Sequence, residues 1–276
     1  MMITSTLAAA CSLALLASAA QAQALEWRVA DGGNGHWYRC VVSLVPMTAF
    51  GALDAASSLG AHLVTIASAE ENQFALALSA ATPGAWPGSA GPWIGAFQTG
   101  PGGEPDGGFE WVTGEPWTFS AWTAGNPSNG CAGWTGESAV HFVDPTCTNT
   151  PTAEWNDLYP WGVHCVPCGV GIQACIVEWD ADCNGDGIVD FGQIQSGALG
   201  DWNGNGVPDC CEMPPPPACP GDFNGDGHVS GADLSVLLGF WGQPPTMLPP
   251  GMDVDCDGVV TGADLAALLG AWGPCR

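Results

Sequence analysis

The sequence predicts an α+β protein: a first domain of two helices, small antiparallel sheets and a long loop region, followed by small loop–helix repeats. Three observations carry that expectation. Short β-branched and aromatic runs alternate with two helical stretches over residues 25–180. From Thr113 to His164 the chain is mostly Gly, Pro, Thr, Asn and Trp, an irregular stretch long enough to be functional, and rich enough in Trp to be ordered. From residue 180 onward the composition shifts abruptly, with half of the 28 acidic residues, thirteen of them Asp.

The first residues read as an address. Leu7 to Ala20 is an apolar run too short to span a bilayer, and Ala20-Gln21-Ala22 and Ala22-Gln23-Ala24 both fit a small-residue cleavage pattern. Residues 1–24 are therefore expected to be a signal peptide, although the run lacks a preceding cation. No other stretch is long enough to span a membrane. The mature chain is expected to be secreted or held at the cell surface.

Trp27, Trp37, Tyr38 and Val41-Val42 read as opening strands, and a helix is expected over about Thr48 to Leu59. Ser68 with Glu71 has the spacing of a capping box, and Phe74, Leu76 and Leu78 suggest the helix behind it. Trp93-Ile94-Gly95 and Phe109 to Val112 are strand-like, and Ala174 to Trp179 reads as a closing strand. Pro214 to Pro217 is a stiff spacer. The expected organisation is a globular domain at 25–180, a tandem loop segment at 181–213, a linker at 214–218 and a last domain at 219–276.

Charge excludes some functions. Three Arg and no Lys face 28 acids, for a formal charge of −25. Too few cations exist to meet nucleic-acid phosphates, and anionic lipid surfaces would repel the chain. With 40 Gly and 23 Pro, loops must be abundant, and an acidic, loop-rich chain calls for counter-cations, calcium first. Of thirteen cysteines, Cys11 lies in the leader; the remaining even number reads as disulfides, and each half of the chain could close on itself.

The tail repeats a twelve-residue cation loop. In the run from Asp222 to Asp233, oxygen side chains fall at Asp222, Asn224, Asp226, Ser230 and Asp233, with Gly227 sixth and the His228 backbone carbonyl seventh. Alternate side chains turn inward, glycine allows the bend, and the last acid closes the shell. Asp253, Asp255, Asp257, Thr261 and Asp264, with Val259 seventh, repeat the pattern, and Gly231-Ala232-Asp233-Leu234 recurs as Gly262-Ala263-Asp264-Leu265. A third loop comprises Asp201, Asn203, Asn205, Asp209 and Glu212. A fourth comprises Asp182, Asn184, Asp186 and Asp190; its closing Gln193 has no carboxylate, so its affinity should be lower.

These loops with their helices resemble a type I dockerin domain over residues 219–276. The resemblance implies two calcium ions and a cohesin-like partner. Where many dockerins carry Ser/Thr contact residues, this chain has Gly231-Ala232 and Gly262-Ala263, and Leu238 and Leu269 stand in the region of the family's basic residues. Residues 182–212 are similar to thrombospondin type 3 calcium repeats, or to the tandem segments of planctomycete-type secreted proteins.

Residues 26–179 resemble a C-type lectin-like domain. The residues that carry this, in the family's order, are Gly60 to Ile66, Ser68-Ala69-Glu70-Glu71-Asn72, Trp93-Ile94-Gly95, Gly114 through Trp122, Trp155-Asn156-Asp157 and Ile176-Val177-Glu178-Trp179. The stretch from Gly114 to Trp122 would be the strand leading into the long loop. The resemblance implies a calcium that also accepts two vicinal sugar hydroxyls, held by Glu137, Asn156 and Asp157. The family's sugar-choosing triad reads Asn126-Pro127-Ser128 here, with Pro127 expected cis and with charge removed at Asn126 and Ser128. The family's usual disulfides would fall near Ala56 and Val177, and near Ala139 and Pro160; here the cysteines stand instead at Cys131, Cys147, Cys165, Cys168 and Cys175, which reads as a re-stapled long loop, with Cys131–Cys147 as a candidate pair.

Other features have blander readings. Cys165-Val166-Pro167-Cys168 lacks the context of a redox or zinc site and reads as structural. Trp117 and Trp122 are expected in the core, while Trp134 and Trp161 could stack on sugar faces. The His residues are scattered, and no spacing supports Glu115 and Glu137 as a glycosidase pair. The expected function is a non-enzymatic, calcium-dependent, carbohydrate-binding protein with a tail for docking or attachment. The alternative is a protein-interaction or structural module on the same scaffold.

Overall fold

The computed structural model describes residues 23–99, 107–128, 136–161, 171–201, 203–211, 221–243, 248, 251–254 and 256–275. Residues 1–22 of the expected leader lie outside that set, as do Cys131, Trp134, Cys165, Cys168, Glu212, Asp255 and the Pro214 to Pro217 spacer. Among the described residues no helix is long and apolar enough to cross a membrane.

The α+β class holds. In chain order the first unit runs β1 (Leu25–Glu26), β2 (Trp37–Val42), α1 (Ala49–Ser57), β3 (His62–Leu63), α2 (Ala69–Ala81), β4 (Ala90–Gln98), β5 (Phe109–Trp111), β6 (Ala139–Val143), β7 (Glu154–Leu158) and β8 (Ala174–Trp179). The strands form one connected sheet, because β8 pairs antiparallel with β2 and β3 and also bridges β4 in parallel at Trp93 and Cys175.

Both helices start where the sequence places them. Thr48 caps α1 by accepting from the Gly51 N–H, and Ser68 caps α2 by accepting from the Glu71 N–H. The reciprocal half of the expected capping box is missing. The Glu71 carboxylate instead accepts from the Ala67 N–H at 2.8 Å and from the Tyr38 hydroxyl at 2.6 Å. Two further expectations need correction. Trp27 lies beyond the end of β1, and residues 114–121 form no strand; their single ladder contact follows at Trp122, opposite Trp155.

The sheet separates two apolar cores. One gathers Tyr38, Cys40, Ile94, Phe142, Trp155 and Ile176 with Ala75 and Leu78 of α2. The other gathers Val41, Trp93, Cys175, Val177 and Trp179 with Ala49, Ala52 and Ala56 of α1. Ala56 and Val177, where the family's disulfide would fall, are packing residues of this second core. Trp117 and Trp122 pack against the first core, as expected. Gly95 explains its place after Trp93-Ile94: a Cβ there would stand 2.5 Å from the Leu63 carbonyl oxygen and 2.9 Å from that of Val64.

The cysteine expectation is corrected. Cys40 and Cys175 are free and buried. Cys40 pairs across the ladder with Ile176, and Cys175 with Val41, so the two cysteines are offset by one residue and face opposite sides of the sheet. Burial pushes the Cys40 thiol up to about 12, which leaves it unreactive. Cys147 is disulfide-bonded, but its expected partner Cys131 lies outside the described residues.

After β8 come α3 (Asp190–Ser196), β9 (His228–Val229), α4 (Gly231–Gly239), α5 (Gly262–Gly270) and β10 (Gly273–Pro274), which pairs with β9. Helix α3 was not expected. Val229, Leu237, Leu248, Met252, Val260 and Leu268 form a third core under α4 and α5. Disulfides join Cys183 to Cys211 and Cys210 to Cys256. The second ties the 201–212 loop to the last repeat across the Pro-rich spacer.

Candidate functional site

The long-loop site is assembled on β7. Strand β7 pairs with β6, setting Asn156 opposite His141 and Asp157 opposite Val140. The incoming loop runs beside β7: Trp155 N–H donates to Ala121 O at 2.8 Å, and Thr123 N–H to Trp155 O at 3.0 Å. That alignment delivers the turn at Asn126 and Pro127, whose peptide bond is cis, as expected.

Four of the five expected residues meet there. Asn126 Nδ2 donates to Asn156 Oδ1 at 2.5 Å, and the Ser128 N–H donates to both Asp157 oxygens, at 3.0 and 2.9 Å. Asn156 Nδ2 in turn donates to the Asp157 carbonyl at 2.5 Å and faces His141 Nε2 at 3.3 Å. Glu137 is buried just before β6.

His141 is the residue that sequence reasoning passed over. It is fully buried, and burial pushes its pKa down to about 4. Its Nδ1 lies 2.6 Å from the Phe142 carbonyl and donates to it, which leaves Nε2 as an acceptor aimed at the Asn156 amide. A neutral imidazole thus holds the amide N–H₂ inward and turns Oδ1 toward the loop. The only signal was positional: His141 and Asn156 are cross-strand partners once β6 pairs with β7.

A second polar cluster lies away from this loop. Glu71 and Glu178 are buried, and with Trp27, Asn34, His36 and Glu115 they line a cavity of about 360 Å³. Glu178 accepts from the Thr65 N–H at 2.9 Å and lies 2.6 Å from His36 Nδ1. The His36 contact ties the 34–38 segment to β8, and the Thr65 contact ties the stretch after β3 to the same strand. Of the tryptophans with a possible sugar-stacking role, Trp161 is 64% exposed and sits 4.5 Å from the Phe50 ring.

The four acidic loops share one hydrogen-bond lattice. In each, the first Asp accepts from the N–H of the fifth and sixth residues, as Asp182 does from Asp186 and Gly187, Asp201 from Asn205 and Gly206, Asp222 from Asp226 and Gly227, and Asp253 from Asp257 and Gly258. The sixth glycines all have φ between 83° and 85°, the left-handed region that side chains resist. The fifth side chain accepts from the seventh N–H, shown by Ile188, Val207, His228 and Val259.

The later positions differ. Asp233 and Asp264 are fully buried and complete capping boxes at the starts of α4 and α5, with Ser230 and Thr261 as partners. Their other oxygens accept from Asn224 N–H at 3.2 Å and Val254 N–H at 2.6 Å, so each acid fastens its helix to its own loop. Asn203 Oδ1 accepts from the Asn205 N–H at 2.9 Å, Asp209 is buried, and the expected closing Glu212 lies outside the described residues. In the 182–193 loop, Asp190 is buried, and its pKa is raised by desolvation and by the charges of Asp182 and Asp186. Asn184 reaches out of that loop to the Cys256 carbonyl at 3.4 Å.

The all-oxygen donor sets suit a hard cation such as calcium. Cys256, at the fourth position of its loop, holds the positive φ that glycine holds in the others, and is fixed there by its disulfide.

Two helices, a sheet with a closing strand at β8, and a long loop whose cis proline meets a Trp-Asn-Asp strand define a lectin-like module, here followed by a dockerin tail. The dockerin type I domain family matches residues 220–270. The chain is similar to the cow C-type carbohydrate-recognition domain of CD23, solved in the presence of a GlcNAc2Man3 oligosaccharide, with 25% identity, TM-score 0.38, and coverage of 54% of this chain and 92% of that one. It is also similar to the mouse scavenger receptor C-type lectin carbohydrate-recognition domain (23% identity, TM-score 0.36, 54% and 91% covered). A third is the C-type lectin CEL-I from Cucumaria echinata (19% identity, TM-score 0.38, 52% and 90% covered). No curated protein sequence matches the chain.

Proposed function

We propose that this is an exported, non-enzymatic protein that binds carbohydrate through calcium at its long loop and uses its tail for docking or surface attachment. The observation that supports this most is the meeting of Asn126 and Ser128 with Asn156 and Asp157 around the cis proline. Asn156 Oδ1 and the Asp157 carboxylate are oxygens held in place, and Glu137 would complete the set by family resemblance. When bound there, calcium would accept vicinal sugar hydroxyls in a shell flexible enough to admit them. The chain's own residues do the positioning: His141 orients Asn156, and the Ser128 N–H holds Asp157.

In the tail, Asp222, Asn224, Asp226, Ser230 and Asp233 would hold one ion, and Asp253, Asp255, Asp257, Thr261 and Asp264 another, with the His228 and Val259 carbonyls seventh. Asp201, Asn203, Asn205, Asp209 and Glu212 would hold a third. A cohesin-like partner would meet the α4 and α5 surfaces, where Leu238 and Leu269 are each half exposed.

A glycan array probed with the full chain, in calcium and in chelator, tests the first reading. Binding that chelator abolishes supports it; no binding in either condition overturns it. A second reading, a protein-interaction or structural module, is favoured by the neutral Asn126-Pro127-Ser128 segment. There the Asn126 amide donates to the Asn156 oxygen.

A further inference from the structure

We propose that the 182–193 loop holds a divalent cation that braces the lectin-like domain, by fixing α3 against the face of the sheet carrying Trp37 and Trp179. This rests on the calcium-loop part of the reading above and is independent of the glycan site.

The first observation points to the ion. Among the described residues, the two buried side-chain oxygens that lack any hydrogen bond are Asp190 Oδ1 and Gln193 Oε1. Asp190 is only 3% exposed. They stand at the ninth and twelfth positions of the loop, and each side chain is anchored to the loop by its other polar atom. Asp190 Oδ2 accepts from the Cys183 N–H at 3.0 Å, and Gln193 Nε2 donates to Asp186 Oδ2 at 2.6 Å. A buried carboxylate oxygen without a partner is costly, and so is a buried amide oxygen. One cation shared by Asp182, Asn184, Asp186, Asp190 and Gln193 removes both costs. The donors are all oxygens, three of them carboxylates, which selects a hard divalent ion.

The second observation links the ion to the first domain. Asp190 opens α3, and the next residue, Phe191, stacks on Trp179 with ring centroids 3.9 Å apart and planes 17° apart. Phe191 also meets Trp37 edge-on at 5.8 Å and belongs to the core containing Trp93 and Val177. At Gly192 a Cβ would lie 2.8 Å from Trp37 Nε1, so the helix touches the indole through bare backbone. The neighbouring loop adds a contact of the same kind, since a Cβ on Gly206 would lie 2.2 Å from the Leu59 carbonyl oxygen. That oxygen accepts the Trp179 Nε1–H at 2.9 Å.

Helix α3 has seven residues and no side-chain N-cap, too little to be stable alone. It is held from one side by Trp37 and Trp179 and from the other by its loop. Fixing Asp190 with an ion therefore fixes Phe191, and with it the end of β8.

The test uses the full chain, with calorimetry to count ions and hydrogen exchange on the amides of β2 and β8, in calcium and in chelator. Calcium should slow exchange at the Trp179 end of β8 by about tenfold or more. Asp186→Asn should lose one ion and most of that protection. Phe191→Ala should keep the ion count and lose the protection. Gln193→Glu, which leaves the packing untouched, should tighten one site and raise protection at sub-saturating calcium. Wild-type protection in Asp186→Asn or in Phe191→Ala would overturn the brace while leaving the calcium loops standing. A chain that binds no calcium would overturn both.

Discussion

The backbone N–H of Ser128 donates to both carboxylate oxygens of Asp157, so the loop after the cis proline is tied to the end of a buried strand. Asp157 is 1% exposed, and its charge is therefore part of what positions the loop. Asp157→Asn keeps the shape but turns one acceptor into a donor facing the Ser128 N–H. It is expected to cost about 1–3 kcal/mol and to weaken calcium and sugar binding together. Chemical denaturation and calorimetry on the same sample measure both effects.

Asn126→Glu replaces the amide that bonds Asn156 with an acid. Calcium binding at the long loop should tighten by about tenfold or more, because a further carboxylate joins Glu137, Asn156 and Asp157 in the proposed set. Calorimetry compares the two chains. No change in this variant, together with no change in Asp157→Asn, would favour the protein-interaction reading.

Gly95→Ala should destabilise the first domain by about 2–4 kcal/mol, within the range of severe core overpacking. The added methyl meets backbone carbonyls of Leu63 and Val64, which cannot rotate away as a side chain can. Thermal unfolding followed by tryptophan fluorescence reads it. A loss below about 0.5 kcal/mol, the scale of a surface substitution, would show that β3 and β4 shift apart freely.

His62 gives a pH dependence. Burial lowers its pKa, but the Asp180 carboxylate and the charge of Glu178 outweigh this and raise it to about 9. Nε2 lies 3.2 Å from Asp180 Oδ1 as an ion pair without an aligned hydrogen bond, and Nδ1 lies 2.9 Å from the Leu63 carbonyl. Because the folded pKa exceeds the unfolded value of 6.5, the contribution is complete below about pH 6.5 and is lost as pH rises through 9. Stability should fall by about 1–2 kcal/mol over that interval, allowing for the partial exposure of Asp180. Melting curves of His62→Gln should be flatter across the same range.

Calcium should raise the melting temperature of the chain more than sodium at equal ionic strength. Specific binding to the folded loops stabilises by mass action, whereas sodium only screens the −25 charge. Equal shifts in the two salts would mark the loops as a solvated acidic segment.

Much of this was legible in the sequence because it is set locally. The loop from Asp222 to Asp233 and its repeat at Asp253 follow from spacing, since a glycine sixth and oxygens at alternate positions leave the backbone few ways to turn. The start of the first helix near Thr48 and the cap at Ser68 are equally local. Tertiary structure decided what depends on register and on distant packing. Cys40 and Cys175 stay reduced because a one-residue offset between β2 and β8 sends them to opposite faces, which no spacing reveals. His141 matters only because β6 sets it across from Asn156. The reciprocal half of the Ser68–Glu71 box was lost because Tyr38, from another strand, offered Glu71 a buried hydroxyl. Phe191 lies in an acidic segment, and its place is fixed by Trp179 and by Trp37, which is more than a hundred residues away in sequence. Local chemistry chose the loops and helix starts, and long-range packing chose which side chains meet.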